Sequence, residues 1–269
     1  MISGANIPVQ LDKRFVIASD NYTSVFYSIS KNFSCFHRIH HWPKPTTDID
    51  AFGSCAFFIL GNSQANMVAA RRLGGSVPIV GPTAIFLPPF SIVEWEINAN
   101  LIEWFCFGVD EPMPPDLPTE PMCYQWPSNW WPSNFADIAE LVRNQTAGVA
   151  IGKIEQVNPT ALLGKKILDQ DFQKDISIGE VAAGLGCSRA DFAKKFKRCY
   201  GLNPVEYRTQ LRIFEGTRAL LNSGMSVMDA ALESGFQDLS RFNKQFRRKM
   251  KIVPSQAQTH RKKKLEDRR

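Results

Sequence analysis

The sequence predicts a two-domain α+β protein: a mainly-β barrel or sandwich with one helix, followed by an all-α domain of two helix-turn-helix units joined by a linker helix. Three observations carry this expectation. Short apolar runs of strand length fill residues 15–107. A unit of about fifty residues is written twice in the C-terminal part. The charge divides in the same place: residues 160–269 hold 23 Lys and Arg against 12 Asp and Glu, residues 1–159 hold 9 against 14, and the whole chain carries +6.

A chain of 269 residues is long enough for two domains, each burying its own core. It contains no run of eighteen apolar residues and does not begin with a basic then apolar segment, so neither a membrane span nor a secretory signal is expected, and the expected location is cytoplasmic. The six cysteines, at 35, 55, 106, 123, 187 and 199, form no CxxC pair. They read as buried thiols in a reducing compartment.

In the N-terminal part, the runs Phe15 to Ala18, Ser24 to Ile29, Cys55 to Leu60, Ala84 to Leu87, Ile92 to Ile97 and Leu101 to Phe107 have the length and the β-branched and aromatic content of strands. Leu73-Gly74-Gly75-Ser76, Gly81-Pro82 and Leu87-Pro88-Pro89 supply turns between them. Trp95, Ile97, Trp104 and Phe107 are candidate cavity walls, with Glu94, Glu96 and Glu103 on the opposite side; core packing is the alternative reading of each aromatic. Arg71 and Arg72 precede Gly74 and are candidates for gripping an anion, since arginine forks match carboxylate and phosphate; a solvated turn is the alternative. His37, His40 and His41 raise the question of a metal site. On a strand, however, His37 and Ile39 face one way and His40 the other, so the cluster does not converge by itself. No metal and no cofactor is therefore expected.

Residues 111–131 are rich in proline, which keeps the backbone extended, and Trp-Pro-Ser-Asn occurs twice, at 126–129 and 131–134. The segment is expected to wrap the β domain with its tryptophans as anchors; a lid over a ligand mouth is the alternative. Ser133 or Asn134 then caps a helix through about Asn144, which either packs on its own barrel or pairs with a copy in a dimer. The expected boundaries are 1–157, 158–260 and a basic tail, 261–269.

In the C-terminal part, residues 177–186 align with residues 226–235, matching Ser177 with Ser226, Ala182 with Ala231 and the closing glycines with each other. Farther on, Phe192, Lys194, Phe196 and Lys197 fall on Phe242, Lys244, Phe246 and Arg247. Each copy reads as a serine-capped helix, a glycine turn, and a second helix with phenylalanines four apart opposite basic residues. That is a helix-turn-helix, whose second helix enters the major groove. Between the copies, Pro204 suits a first helical position, and Val205 to Asn222 continues as one helix. It is long enough to hold the two reading helices near the spacing of successive major grooves.

These residues resemble the DNA-binding domain of the AraC/XylS family of bacterial transcription regulators over about 160–258. The resemblance rests on Ile178, Val181, Ala182, Ser188, Phe192, Phe196, Lys197, Gly201, Pro204, Tyr207 and Arg212. It continues through Ala219 to Leu221, Ala231, Gly235-Phe236, Phe242, Phe246 and Pro254. The chain departs from the family pattern at Gly216, at Lys251, where glycine is usual, and at Val253. By the family's register, Arg189, Ala190, Ala193 and Lys194 in the first unit, and Leu239, Ser240, Arg241, Asn243 and Lys244 in the second, face the groove. The N-terminal strands and helix resemble the family's cupin-like sensing domain, with Arg71, Arg72, Trp95 and Trp104 as candidate ligand contacts. The usual metal-cupin spacing is absent, so no catalytic residue is assigned.

The family resemblance implies a regulator that is not an enzyme. Its implied partners are double-stranded DNA, RNA polymerase and a small-molecule effector; a second copy of the chain is a partner only in the reading where the helix after Asn134 pairs with its copy. Two alternatives stand beside it: an N-terminal domain that binds a protein, and an enzyme domain using His37, His40 and His41, fused to a DNA-binding module.

Overall fold

The computed structural model describes residues 12–18, 21–30, 32–60, 67–71, 74–98, 101–127, 130–145, 147–152, 157–223 and 225–257. It divides into two compact units, 1–153 and 154–269. Among the described residues, no helix is long and apolar enough to cross a membrane.

The N-terminal unit is mainly β. Its strands are β1 (Asp12–Ala18), β2 (Tyr22–Ser28), β3 (Phe33–His41), β4 (Thr46–Ala51), β5 (Cys55–Leu60), β6 (Met67–Arg71), β7 (Gly75–Ile79), β8 (Thr83–Leu87), β9 (Ile92–Ile97), β10 (Leu101–Val109), β11 (Met122–Gln125) and β12 (Val149–Ala150). They form an eight-stranded sheet in the order β1-β2-β3-β10-β5-β8-β11-β12 and a four-stranded sheet in the order β4-β9-β6-β7. Strand β5, Cys-Ala-Phe-Phe-Ile-Leu, is buried at every position, so both faces of the large sheet are covered there. On one face, Cys55, Phe57 and Ile59 join Phe33, Cys35, Phe105 and Phe107 in a core closed by α1 (Phe135–Asn144). On the other, Phe58 meets Phe52 and Trp95 at ring separations of 5.7 and 5.8 Å, bringing the four-stranded sheet onto the large one.

Helix α1 starts at Asn134, whose side chain accepts from the Asp137 N–H at 3.1 Å. Its apolar residues Phe135, Ile138, Ala139, Leu141 and Val142 are all buried in the core of the β unit, so that stripe packs on its own sheet. The tryptophans of the proline-rich segment dock beside it: Trp131 meets Phe105 edge-on at 4.7 Å, and Trp126 Nε1 donates to the Trp130 carbonyl at 2.8 Å. They are anchors in the core.

Two expectations about faces need correction. Trp104 and Phe107 are three residues apart on β10 and therefore lie on opposite faces, Phe107 stacking with Phe33 on the α1 side. Glu103 shares the face of Phe107 and takes a bond from His37 Nε2 at 2.7 Å.

The C-terminal unit, as described, is all helix: α2 (Pro159–Asp171), α3 (Ile178–Gly184), α4 (Arg189–Tyr200), α5 (Pro204–Arg218), α6 (Val227–Glu233) and α7 (Leu239–Met250). The expected single linker helix is α5 followed by a π-helical turn over Ala219–Ser223. Side-chain caps at Asn158, Ser177, Ser188, Asn203, Ser226 and Asp238 open these helices, and Ser177–Glu180 and Asn203–Glu206 are reciprocal capping boxes.

The repeat is larger than a helix pair. A Cβ on Gly164 of α2 would run into the Phe192 ring, and one on Gly216 of α5 would lie 2.6 Å from the Phe242 ring. Thus α2 backs α4 as α5 backs α7, and each reading unit has three helices. Gly216, a departure from the family pattern, is the room Phe242 needs. Helix α5 also reaches back to the first reading unit. Tyr207 is fully buried, lies 5.5 Å from the Phe196 ring, and donates to Asp169 of α2 at 2.5 Å, while Lys165 holds the same carboxylate at 2.8 Å.

Candidate nucleic-acid interface

The interface is built from the phenylalanines outward. Phe192 and Phe196 are 0% exposed and meet edge-on at 5.7 Å, fixing the inner face of α4. Phe242 and Phe246, also 0% exposed and 5.5 Å apart, do the same for α7. The remaining faces are then compelled to point outward, because the helical period carries them away from the buried stripe. Arg189, Ala190, Lys194, Lys197 and Arg198 of α4 are exposed and Ala193 is half-buried. On α7, Ser240, Arg241, Lys244, Arg247, Arg248 and Lys249 are exposed, and Leu239 and Asn243 are half-buried.

Lys194 and Lys244 occupy the same place in the two reading units, and neither has an ion pair among the described residues. Lys195 does: its Nζ lies 2.7 Å from Asp191, which raises its pKa. Arg241 stands where the first reading unit has Asp191, so the two helices present different chemistry. Arg241 also adds its field to two arginines of α5. Burial, then Arg208, then Arg241 lower the Arg212 pKa to about 10. Burial, then Arg241 lower that of Arg208.

The two glycine-turned helix pairs, each with a buried aromatic stripe and an exposed basic face, define a tandem helix-turn-helix nucleic-acid-binding domain. Residues 181–260 match the family described as Helix-turn-helix domain. The chain is 30% identical over 93 residues to the virulence regulon transcriptional activator VirF of Yersinia enterocolitica, covering 35% of this chain and 34% of that protein. It is 28% identical over 90 residues to the transcriptional regulator ExsA of Pseudomonas aeruginosa, covering 34% and 32%. The chain thus spans about a third of the length of the curated relatives it matches. The solved structure of ToxT from Vibrio cholerae aligns over 85% of this chain and 98% of that one, with a TM-score of 0.47 and 13% identity. The C-terminal domain is an AraC-type helix-turn-helix domain, and the relatives it matches are regulators of the AraC/XylS family.

In the β unit, Trp95 and Trp104 lie on different sheets, each on the face turned toward the other sheet. Trp95 is buried on the four-stranded sheet and donates from Nε1 to Asp50 at 3.1 Å. Trp104 is half-buried on the large sheet. Arg71 ends β6, two residues past Ala69, the pairing partner of Trp95, and its side chain and Arg72 lie outside the described residues. The tail 261–269 lies outside them too.

A residue that sequence reasoning passed over stands beside Trp104. The Arg38 guanidinium lies 5.7 Å from the Trp104 ring and 5.1 Å from the Tyr22 ring, and its Nε donates to Ser24 at 2.6 Å. Burial lowers its pKa, opposed by Tyr22, Asp50 and Cys106. Beside it, His40 stacks on Trp42 at 3.8 Å, and His40 Nδ1 and Trp42 Nε1 are buried without a hydrogen-bond partner among the described residues. Burial, then Arg38 and His41, lower the His40 pKa to about 4. The only hint in the sequence was an arginine inside an otherwise aromatic and histidine-rich strand.

The three histidines do not meet. His37 is engaged with Glu103 on the α1 side of the sheet, and His40 lies on the other face. Among the described residues, no group of three or more His, Cys, Asp or Glu side chains is placed to hold a metal ion.

Proposed function

We propose that the chain is a sequence-specific transcription regulator, acting in the cytoplasm on RNA polymerase, in which α4 and α7 read the major groove of double-stranded DNA. The observation that supports this most is the recurrence of one arrangement in both reading units. Each has a helix pinned by two buried phenylalanines, with a lysine at the same outward position that has no ion pair among the described residues. The relatives' names as transcription activators and regulators point the same way. In this reading Arg189 and Arg241 meet guanine edges, Asn243 meets an adenine or a phosphate, and Lys194 and Lys244 meet phosphates. Ala190, Ala193, Leu239 and Ser240 lie against the groove. The test is selection of binding sites from a random DNA pool, followed by affinities for single-base variants. Arg241→Ala should cost about 1 to 3 kcal/mol at one base position; equal weakening on every variant would make Arg241 a phosphate contact.

The N-terminal unit supplies the control input in this proposal. A small effector with an anionic or hydrogen-bonding group would lie between the two sheets, against Arg38, His40, Trp95 and Trp104, with Arg71 and Arg72 as further candidates. Thermal shift with a panel of small carboxylates and sugars, on wild type and Arg38→Gln, tests it. A second reading, in which this unit docks on a protein or its own copy, is favoured by exposed Val16, Ile39 and Leu101, which share one face of the large sheet. Sedimentation of wild type and Ile39→Asp distinguishes it.

A further inference from the structure

The α2–α3 connection, residues 172–176, is held from two sides. Two arginines one turn apart on α5 take three of its carbonyls: Arg212 Nε donates to Phe172 O at 2.5 Å and Nη2 to Lys174 O at 2.9 Å, and Arg208 Nη1 donates to Ile176 O. The second reading unit closes the other side. A Cβ on Gly235, in the turn between α6 and α7, would lie 2.7 Å from Gln173 Cα, so the turn and the connection touch through their backbones. The Arg212 guanidinium also lies 6.0 Å from the Phe236 ring next to that turn.

This brace is a second link beside α5, which already joins the two units through Gly216 under Phe242. Helix α5 ends in the π-helical turn Ala219–Ser223, where the regular hydrogen-bond ladder is interrupted. Reading helices in successive grooves stand about 34 Å apart. One base pair more or fewer between the half-sites moves one of them by about 3.4 Å along the duplex and by about 35° around it, a combined shift that two rigidly joined helices cannot follow. Packing of α7 on α5 at one place leaves the second unit able to pivot about that contact, and a separate attachment at the α6–α7 turn opposes the pivot.

We infer that residues 172–176, gripped by Arg208 and Arg212 and abutted by Gly235, set the spacing between the two DNA half-sites that this protein accepts. Arg212 is then a positioning residue for specificity that touches no DNA. The inference rests on the proposed reading of DNA by α4 and α7.

The experiment uses the full chain and a DNA site selected by the wild-type protein from a random pool, together with versions carrying one base pair more or fewer between the half-sites and a fragment with the first half-site alone. Wild type should lose about tenfold or more on either spacing change. Arg212→Ala should lose about threefold or less on the same change, while binding the single half-site as wild type does. Arg208→Ala, which removes one bond of the three, should fall between, and it carries the test if Arg212→Ala does not fold. An unchanged spacing penalty in the folded variants would overturn the inference, as would an equal loss on the single half-site, which would mean that the arginines only support the first reading unit. Failure of the wild type to select any common sequence would instead overturn the reading of DNA itself.

Discussion

Replacing Lys194 by alanine removes an exposed cation that has no carboxylate partner among the described residues, whereas replacing Lys195 removes one already held by Asp191 at 2.7 Å. The two lysines are adjacent on α4 and change the net charge equally. The structure therefore predicts unequal consequences from equal charge. A lysine that neutralises one phosphate contributes about 0.9 to the slope of log K against log salt, and its removal lowers the slope by that amount. Between 50 and 200 mM salt that is about 0.5 in log K, so the Lys194→Ala deficit should shrink by a factor of about 3.5 across that range. For Lys195→Ala the change in slope should be less than half as large. Fluorescence anisotropy on a selected site, titrated with salt, measures both. Equal slope changes would mean that charge counts and position does not, and an unchanged slope for Lys194→Ala would remove it from the interface.

Two further outcomes follow from backbone and burial. Lys251 closes α7 in the left-handed region with φ 63°, where the same position in the first reading unit holds Gly201 with φ 78°. Lys251→Gly should therefore stabilise the second reading unit by about 1 kcal/mol, read by thermal or urea unfolding, and Gly201→Ala should destabilise by a similar amount. In the β unit, His40 has a folded pKa of about 4 against an ordinary 6.5, so the unfolded chain takes the proton first as pH falls. Stability contributed by neutral His40 is present above 6.5 and drains as pH drops toward about 4. The melting temperature of the β unit should fall across that window, and less steeply in His40→Gln.

The C-terminal unit was legible in the sequence because its constraints are local. A cap, a turn glycine and phenylalanines four residues apart specify each reading helix without reference to anything distant, and Ser177, Ser188 and Ser226 cap where expected. What was not legible is that α2 belongs to the repeat. Its link to the pattern is Gly164 under Phe192, a contact across 28 positions with no periodic signature. In the β unit, β5, β9 and β10 were visible as apolar runs, whereas β4, Thr-Thr-Asp-Ile-Asp-Ala, was not. Its aspartates read as loop, yet Asp50 receives the Trp95 indole N–H. Strand β3 was obscured by the histidines that invited a metal reading, and Arg38 could not be placed until β2 and β10 were known to flank it.

Helix α5 explains why the two reading units act as one body. Its Tyr207, Arg208 and Arg212 bond to α2 and to the connection after it, while its Gly216 lies under Phe242 of α7. One helix is thus a structural member of both three-helix units, so neither can lose its core without disturbing the other. A sequence-reading domain gains from this. Two helices on a flexible tether would each find groove contacts independently and tolerate many spacings, but two helices sharing a backing helix must satisfy both sites at once. Under the proposed reading of DNA by α4 and α7, the selectivity of the pair would exceed what the half-dozen outward side chains on each helix supply, and would reside partly in residues of the shared backing helix.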